Sequence, residues 1–375
     1  MAELNDYLKK LVELKGSDLH IKSFEPPIYR INGKLVKSGD EKLTPDAIHS
    51  LFRSCVDEKK YGDYIEGKEC DFAVEIDGFG RFRGNLFFQK NLPGGVFRLI
   101  PQKIPTIDEL CLPEVLKEMV KKPNGLVLVT GPTGCGKSTT LAAMINEINE
   151  SEAVNIITVE DPIEFVHRDK SAIVNQREIG MDTKDWESAL KRALRQDPDV
   201  ILVGEMRDAS SISIAISAAE TGHLVFSTLH TNDAKQTIER IVDRFPPEGQ
   251  DFIRHQISMV LVAVVSQRLC RTKDGQGRIA AHEIMINSPA IAKAIEDNQT
   301  GRIQQLMIET GSFYRMTTLN QSLFKLLEEE KISDEEALRI SNNPNDLKIK
   351  IKTALKRGES DNVSENESQK KARKF

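Results

Sequence analysis

Cysteine is scarce and scattered in this chain: Cys55, Cys70, Cys111, Cys135 and Cys270 are odd in number and never spaced C-x-x-C. A disulfide framework or a zinc site needs paired or clustered thiols, so neither is expected. Long apolar runs are missing as well. The longest, Met259–Val265, falls far short of the ~20 residues that a bilayer-crossing helix needs, and it reads as a core helix. The N-terminus lacks the basic start and apolar centre of a signal peptide, which predicts a cytoplasmic protein. Positive charge is not in excess either. A formal net charge of −5 argues against a general nucleic-acid binder, which is usually basic, and no direct nucleic-acid contact is expected.

A chain of 375 residues is long for one ordinary domain and suggests two. Residues 1–100 read as a separate α+β module. Leu4, Leu8, Leu11 and Val12 share one face of a first helix, and Ile28–Ile31 and Lys34–Lys37 flank an Asn32-Gly33 hairpin turn. Thr44-Pro45 opens a second helix, and Phe72–Ile76, Arg81–Phe88 and Gly95–Ile100 follow as strands. Pro101 and Pro105 stiffen a connection over 101–108, and Thr106–Glu109 forms a capping-box pattern that predicts the next helix. From 109 to about 350, β-branched runs at 125–130, 154–159, 199–204 and 223–229 alternate with helical stretches at 185–196, 209–220 and 233–242. That alternation is the pattern of a parallel sheet. Beyond 249 the chain reads as mostly helical, broken by a strand-like Arg278–Ile286 and by the capping signal Ser333–Glu336. Residues 351–375 read as a polar, disordered tail.

The strongest signal is Gly131, Pro132, Thr133, Gly134, Cys135, Gly136, Lys137 and Ser138, continued by Thr139, between the apolar run Gly125–Thr130 and a stretch of good helix formers. It matches G-x-x-x-x-G-K-[ST] in the strand–turn–helix context that the motif requires. Backbone N–H groups of such a turn point at phosphate oxygens, Lys137 reaches the β- and γ-phosphates, and the Ser138 hydroxyl ligates Mg²⁺. The chain is expected to bind a nucleoside triphosphate. Cys135 reads as a small tolerated side chain, with a redox-sensitive thiol as the sharper alternative.

Three further constellations fall at the ends of the other predicted strands, the edge where open α/β sheets hold ligands. Thr158–Glu164 carries Glu160, Asp161 and Glu164. Asp199–Glu205 is an apolar run ending in Gly204-Glu205, and Glu205 is read as the base that orients and deprotonates water. Arg207 and Asp208 are expected to pair with each other or to serve a helix start. His230 follows the last strand, where a γ-phosphate sensor belongs, and His223 precedes it.

These motifs, with Gly16–His20 near the start and Ala280–Met285 late in the chain, resemble those of the secretion-superfamily hexameric ATPases. More narrowly, the chain resembles the PilT/PilU twitching-motility ATPases, which power type IV pilus retraction. The core is more similar to PilT, and the end, Met316–Phe324 through Ser341–Lys350, to PilU. The four-cysteine zinc module of the assembly and secretion relatives is missing, which favours retraction. The resemblance implies a PAS-like N-terminal domain on a RecA-like P-loop core, ATP with Mg²⁺ in each subunit, and a homo-hexamer. It implies attachment to the inner membrane through a pilus platform protein, with a paralogous retraction ATPase as a possible partner. It also implies that Arg83 and Arg98 complete the nucleotide site, Glu164 supports the metal or water, and His230 senses the γ-phosphate. A secretion or DNA-transfer motor with other cargo, and an accessory subunit beside a main motor, are the alternatives.

Overall fold

The computed structural model describes residues 3–101 and 103–353 and divides into two compact units. One comprises the residues through Ile104 together with Ile163–His167; the other comprises Pro105–Pro162 and the residues from Arg168 onward.

The first unit is built on a six-stranded antiparallel sheet in the order Lys34–Lys37, Ile28–Ile31, Gly16–Lys22, Leu92–Leu99, Gly80–Gln89, Glu69–Ile76. The Asn32-Gly33 turn closes its first hairpin with both residues at positive φ, as a two-residue loop between right-twisted strands requires. Leu4, Leu8 and Leu11 of helix Leu4–Glu13 pack with Ile48 and Phe52 of helix Pro45–Arg53 and Tyr64 of helix Glu58–Gly67 onto Leu19, Phe82, Leu86 and Phe97 of the sheet. Because strand side chains alternate, the residues next to these, Asp18, Arg83 and Arg98, lie on the face opposite the helices. The strand Gly16–Lys22 and the helix Glu58–Gly67 carry too few apolar residues to be read from periodicity.

The second unit holds a seven-stranded sheet, ordered Arg278–Ile286, Leu261–Arg271, Gly125–Thr130, Leu224–Leu229, Val200–Val203, Asn155–Glu160, Ile173–Glu178. All neighbours are parallel except the pair formed by Arg278–Ile286 and Leu261–Arg271. This is an α/β fold with a parallel core, covered by helices that include Lys137–Ser151, Trp186–Ala193, Ala209–Glu220 and Ala234–Val242.

Three expectations are corrected here. Met259–Val265 is not a core helix: the helix Pro247–Val260 ends and strand Leu261–Arg271 begins inside the run. Its valines fill a slot between two strands, a burial that a continuous apolar stretch fits as well as a helix interior does. The Thr106–Glu109 capping box does form, with reciprocal bonds of 3.0 and 3.1 Å, but it closes only a turn. Cys111 at positive φ and then Pro113 stop it, and the helix starts at Val115. Residues 344–353 are helical, so 351–353 do not belong to the expected disordered tail; residues 354–375 lie outside the described residues.

Candidate active site

Parallel pairing brings strand ends to one edge. Thr130 pairs with Leu229, Ser227 with Val203, and Val203 with Val159, so the segments after Thr130, Val203, Leu229 and Glu160 leave the sheet side by side. The predicted motifs occupy those four exits.

Gly131, Gly134 and Gly136 all have positive φ, which turns the chain back into helix Lys137–Ser151. At two of them a side chain is excluded by contact as well. A Cβ on Gly131 would meet the Gln267 carbonyl oxygen at 2.4 Å, and one on Gly136 would meet Gln267 Nε2 at 2.8 Å. Pro132, Thr133 and Gly134 are exposed, whereas Lys137 is buried and donates its ammonium to Gly131 O at 2.9 Å and Pro132 O at 3.2 Å. The loop thus presents backbone N–H groups, a helix N-terminus and one fixed cation, a combination suited to polyphosphate. Ser138 and Thr139 are half-buried in the first helical turn. The Ser138 hydroxyl is the hard oxygen donor that Mg²⁺ shared with phosphate uses, so the residues present fit that ion. Burial pushes the Cys135 thiol up against the pull of Lys137, which disfavours the thiolate and supports the plain packing role over a redox one.

Glu205 stands at the second exit with both oxygens engaged. His230 Nε2 lies 3.3 Å from Oε1, and Arg207 Nε donates to Oε2 at 2.8 Å. Arg207 also approaches Asp161 Oδ2 at 3.8 Å, so three of the four exits meet in one cluster. Arg207 therefore pairs with Glu205 and Asp161 and not with Asp208, whose carboxylate instead caps helix Ala209–Glu220 through Ser211 N at 2.7 Å. Below the cluster, Thr228 Oγ1 donates to Gly204 O and Ser227 Oγ to Val203 O, locking the strands that carry Glu205 and His230. Glu160 accepts from Thr158 and Gln176. His223 sits at the opposite end of its strand, and its Nδ1 lies 2.8 Å from Ala218 O, a turn-fixing contact. Glu164 is exposed and belongs to the 163–167 segment of the first unit, outside the Glu205 cluster's own unit.

Arg83 and Arg98 are direct cross-strand neighbours in the first unit. Arg98 donates to buried Asp18 at 2.8 Å, Arg30 approaches the other Asp18 oxygen at 3.6 Å, and Arg83 comes to 4.0 Å from Asp71. Burial would raise the Asp18 pKa, but hydrogen bonds from Ser17 and Arg98 outweigh it and hold the carboxyl below its ordinary value. The Arg98 side chain is 72% exposed, so its anchored guanidinium still faces outward.

Sequence reasoning missed two groups. Gln267 and Thr140, which hydrogen-bond each other at 2.8 Å, carry no motif. Glu283 and His282 are buried on strand Arg278–Ile286. Glu283 accepts from Ala234 N at 3.0 Å, at the start of the helix that follows His230, and burial pushes its carboxyl up to about 7. Burial pushes His282 down to about 4. These two lie within Ala280–Met285, which carries part of the family resemblance, but nothing in that stretch assigns either residue a role.

Residues 112–330 match the family described as type II/IV secretion system protein. The chain is 47% identical over 322 residues to the type IV pilus retraction ATPase PilT of Pseudomonas aeruginosa, covering 86% of this chain and 93% of that protein. It is 41% identical over 350 residues to the type IV pilus ATPase PilU of the same organism, covering 93% and 91%. A crystal structure of the pilus retraction motor PilT with bound ADP superposes with a TM-score of 0.86 at 43% identity, covering 93% of this chain and 99% of that one. This chain belongs to the type II/IV secretion system protein family and, within it, to the PilT and PilU twitching-motility ATPases.

Proposed function

We propose that this protein is a cytoplasmic motor ATPase that assembles as a homo-hexamer and hydrolyses ATP to power type IV pilus retraction. The observation that carries the reading is the Glu205 cluster: a carboxylate fixed by His230 and Arg207 at the same sheet edge as the Lys137 loop. The likeness to PilT over most of both chains supports the cargo assignment. In addition, no helix among the described residues is long and apolar enough to cross a membrane. Attachment to the inner membrane would then run through a platform protein.

The loop N–H groups and Lys137 hold the β- and γ-phosphates of ATP. Mg²⁺, when bound, would be held by Ser138 with Glu164 in support and would neutralise phosphate charge. Glu205 orients a water and takes its proton as the water attacks phosphorus in line with the leaving oxygen. His230, in contact with Glu205, reports the presence of the γ-phosphate. Arg83 and Arg98 neutralise the charge that spreads over the phosphoryl oxygens in the transition state, a task that suits a planar guanidinium. Each role needs only the side-chain chemistry present.

Purified full-length protein tests the engine, and a deletion strain tests the cargo. ATP turnover in the wild type and its loss in Glu205→Gln support a motor; no turnover above that variant defeats it. A deletion strain should accumulate pili and lose twitching, whereas loss of pili would overturn retraction. A second reading, a PilU-type subunit acting beside a main retraction ATPase, is favoured by the longer alignment with PilU. It predicts that the deletion is rescued by extra copies of the paralogue.

A further inference from the structure

The strand Leu261–Arg271 runs parallel to Gly125–Thr130 with Ser266 opposite Thr130. The Ser266 and Thr130 hydroxyls bond at 2.8 Å. The next residue, Gln267, therefore comes level with the start of the phosphate-binding loop. Its side chain is buried and both ends of its amide are used. Nε2 donates to Cys135 O at 2.7 Å, in the middle of the loop, and Oε1 accepts from Thr140 Oγ1 at 2.8 Å, in the first turn of the helix. Because a backbone carbonyl only accepts, the Cys135 contact fixes which way the amide faces. The loop is shaped around this residue, since Gln267 atoms occupy the space that a Cβ on Gly131 or Gly136 would need.

We propose that Gln267 is a positioning residue of the nucleotide site: it ties the loop backbone at Cys135 to the helix at Thr140 and so holds the intervening N–H groups in a phosphate-receiving arrangement. The amide touches neither substrate nor reacting atoms; it acts through the loop. Leaving the buried Cys135 carbonyl without its donor would carry a desolvation penalty, and the loop would relax to recover a partner. This proposal rests on the reading of 131–138 as the ATP site.

The test titrates full-length protein with ADP carrying a fluorescent ribose label, at about pH 6 and about pH 8, beside thermal melts of each variant. Gln267→Glu keeps the shape. At the higher pH it removes the donor and adds a negative charge behind the phosphates, and affinity should fall by about tenfold or more. At the lower pH the protonated carboxyl regains an O–H for Cys135 O, so most of that loss should return. The groups around Gln267 do not mimic this response. Burial keeps Cys135 high and His282 near about 4; the other charged side chains acting on Cys135 are Lys137 and Arg268. Glu283, near about 7, titrates in every variant alike and is removed by reference to the wild type.

Gln267→Met should weaken binding equally at both pH values. Thr140→Val cuts the other end of the tie and should weaken binding by about threefold, with the double variant little worse than Gln267→Met alone, because the two residues form one unit. If Gln267→Glu is too unstable to purify, Thr140→Val decides the matter through the same titration. Affinities within twofold of wild type for the variants at both pH values overturn the proposal. So does a Gln267→Glu loss that is unchanged between the two pH values. Failure of the wild type itself to bind the labelled ADP would instead defeat the ATP-site reading.

Discussion

The two units hold the side chains of the proposed site in opposite ways. In the second unit the residues stand at the ends of parallel strands, where chain exits converge, and they are gripped from beneath: Lys137 by loop carbonyls, the loop by Gln267, Glu205 by His230 and Arg207. In the first unit Arg83 and Arg98 rise from the middle of antiparallel strands, on the face away from the helices, and are anchored only by carboxylates beside them. An exit site is specified by topology and tolerates little change. A face site is specified by register, and its arginines stay exposed and adjustable. Substitution of Glu205 in the second unit should therefore damage chemistry outright, whereas substitution of Arg98 in the first should lower rate far more than stability.

The sharpest contrast comes from Glu205→Gln. It should lower kcat on the order of 100- to 1,000-fold while leaving labelled-ADP affinity near wild type, measured by phosphate release and by titration. Arg98→Ala should lower kcat by about 10- to 100-fold with only a small fall in melting temperature, because its side chain is largely exposed and Ser17 and Arg30 still face the Asp18 carboxyl. An equal loss of stability would erase the distinction between face and exit. Asp18→Ala sharpens it further: the rate should fall because Arg98 loses its anchor, and stability should fall by about 1–3 kcal/mol because a buried acceptor disappears beneath two arginines. Arg207→Ala releases one oxygen of Glu205 and should change kcat by only about threefold to tenfold, with affinity unmoved, since His230 still holds the other oxygen.

The smallest effect is a pH slope at Glu283. A carboxyl raised from 4.5 to about 7 is protonated more readily in the folded chain than in the unfolded one. The stability it contributes is complete below the unfolded value and is lost as pH rises through the folded one. Glu283→Gln should consequently gain stability relative to wild type between about pH 5 and pH 8, by a few degrees in melting temperature. A relative loss over that window would mean that the charged form is the one the helix start at Ala234 requires.

The sequence made the exits legible because each strand end there carries a motif with its own chemistry: Gly131–Ser138, Glu205 and His230 could be read one at a time. The partners that hold them could not. Gln267 reaches Cys135 from far along the chain, and Arg207 turns to Glu205 and Asp161 only because parallel pairing sets those exits side by side. The misreading of Met259–Val265 has the same origin. A buried strand and a buried helix look alike when every residue is apolar, and only the neighbours Gly125–Thr130 and Arg278–Ile286 decide between them. The arginine row was reached through family resemblance, since nothing local distinguishes Arg83 or Arg98 from other sheet-face cations.

The strand order of the second unit also sets a clock. Gly125–Thr130 and Leu224–Leu229 lie in the interior of the seven-stranded sheet, with Ile173–Glu178 and Arg278–Ile286 at its edges. Interior amides should exchange their hydrogens for deuterium only when the whole unit opens, whereas amides at 131–136, 204–208 and 230–233, beyond the strand ends, should exchange sooner. Nucleotide binding should thus slow exchange in those three short segments against a silent background, giving a map of the site that needs no label and no mutation.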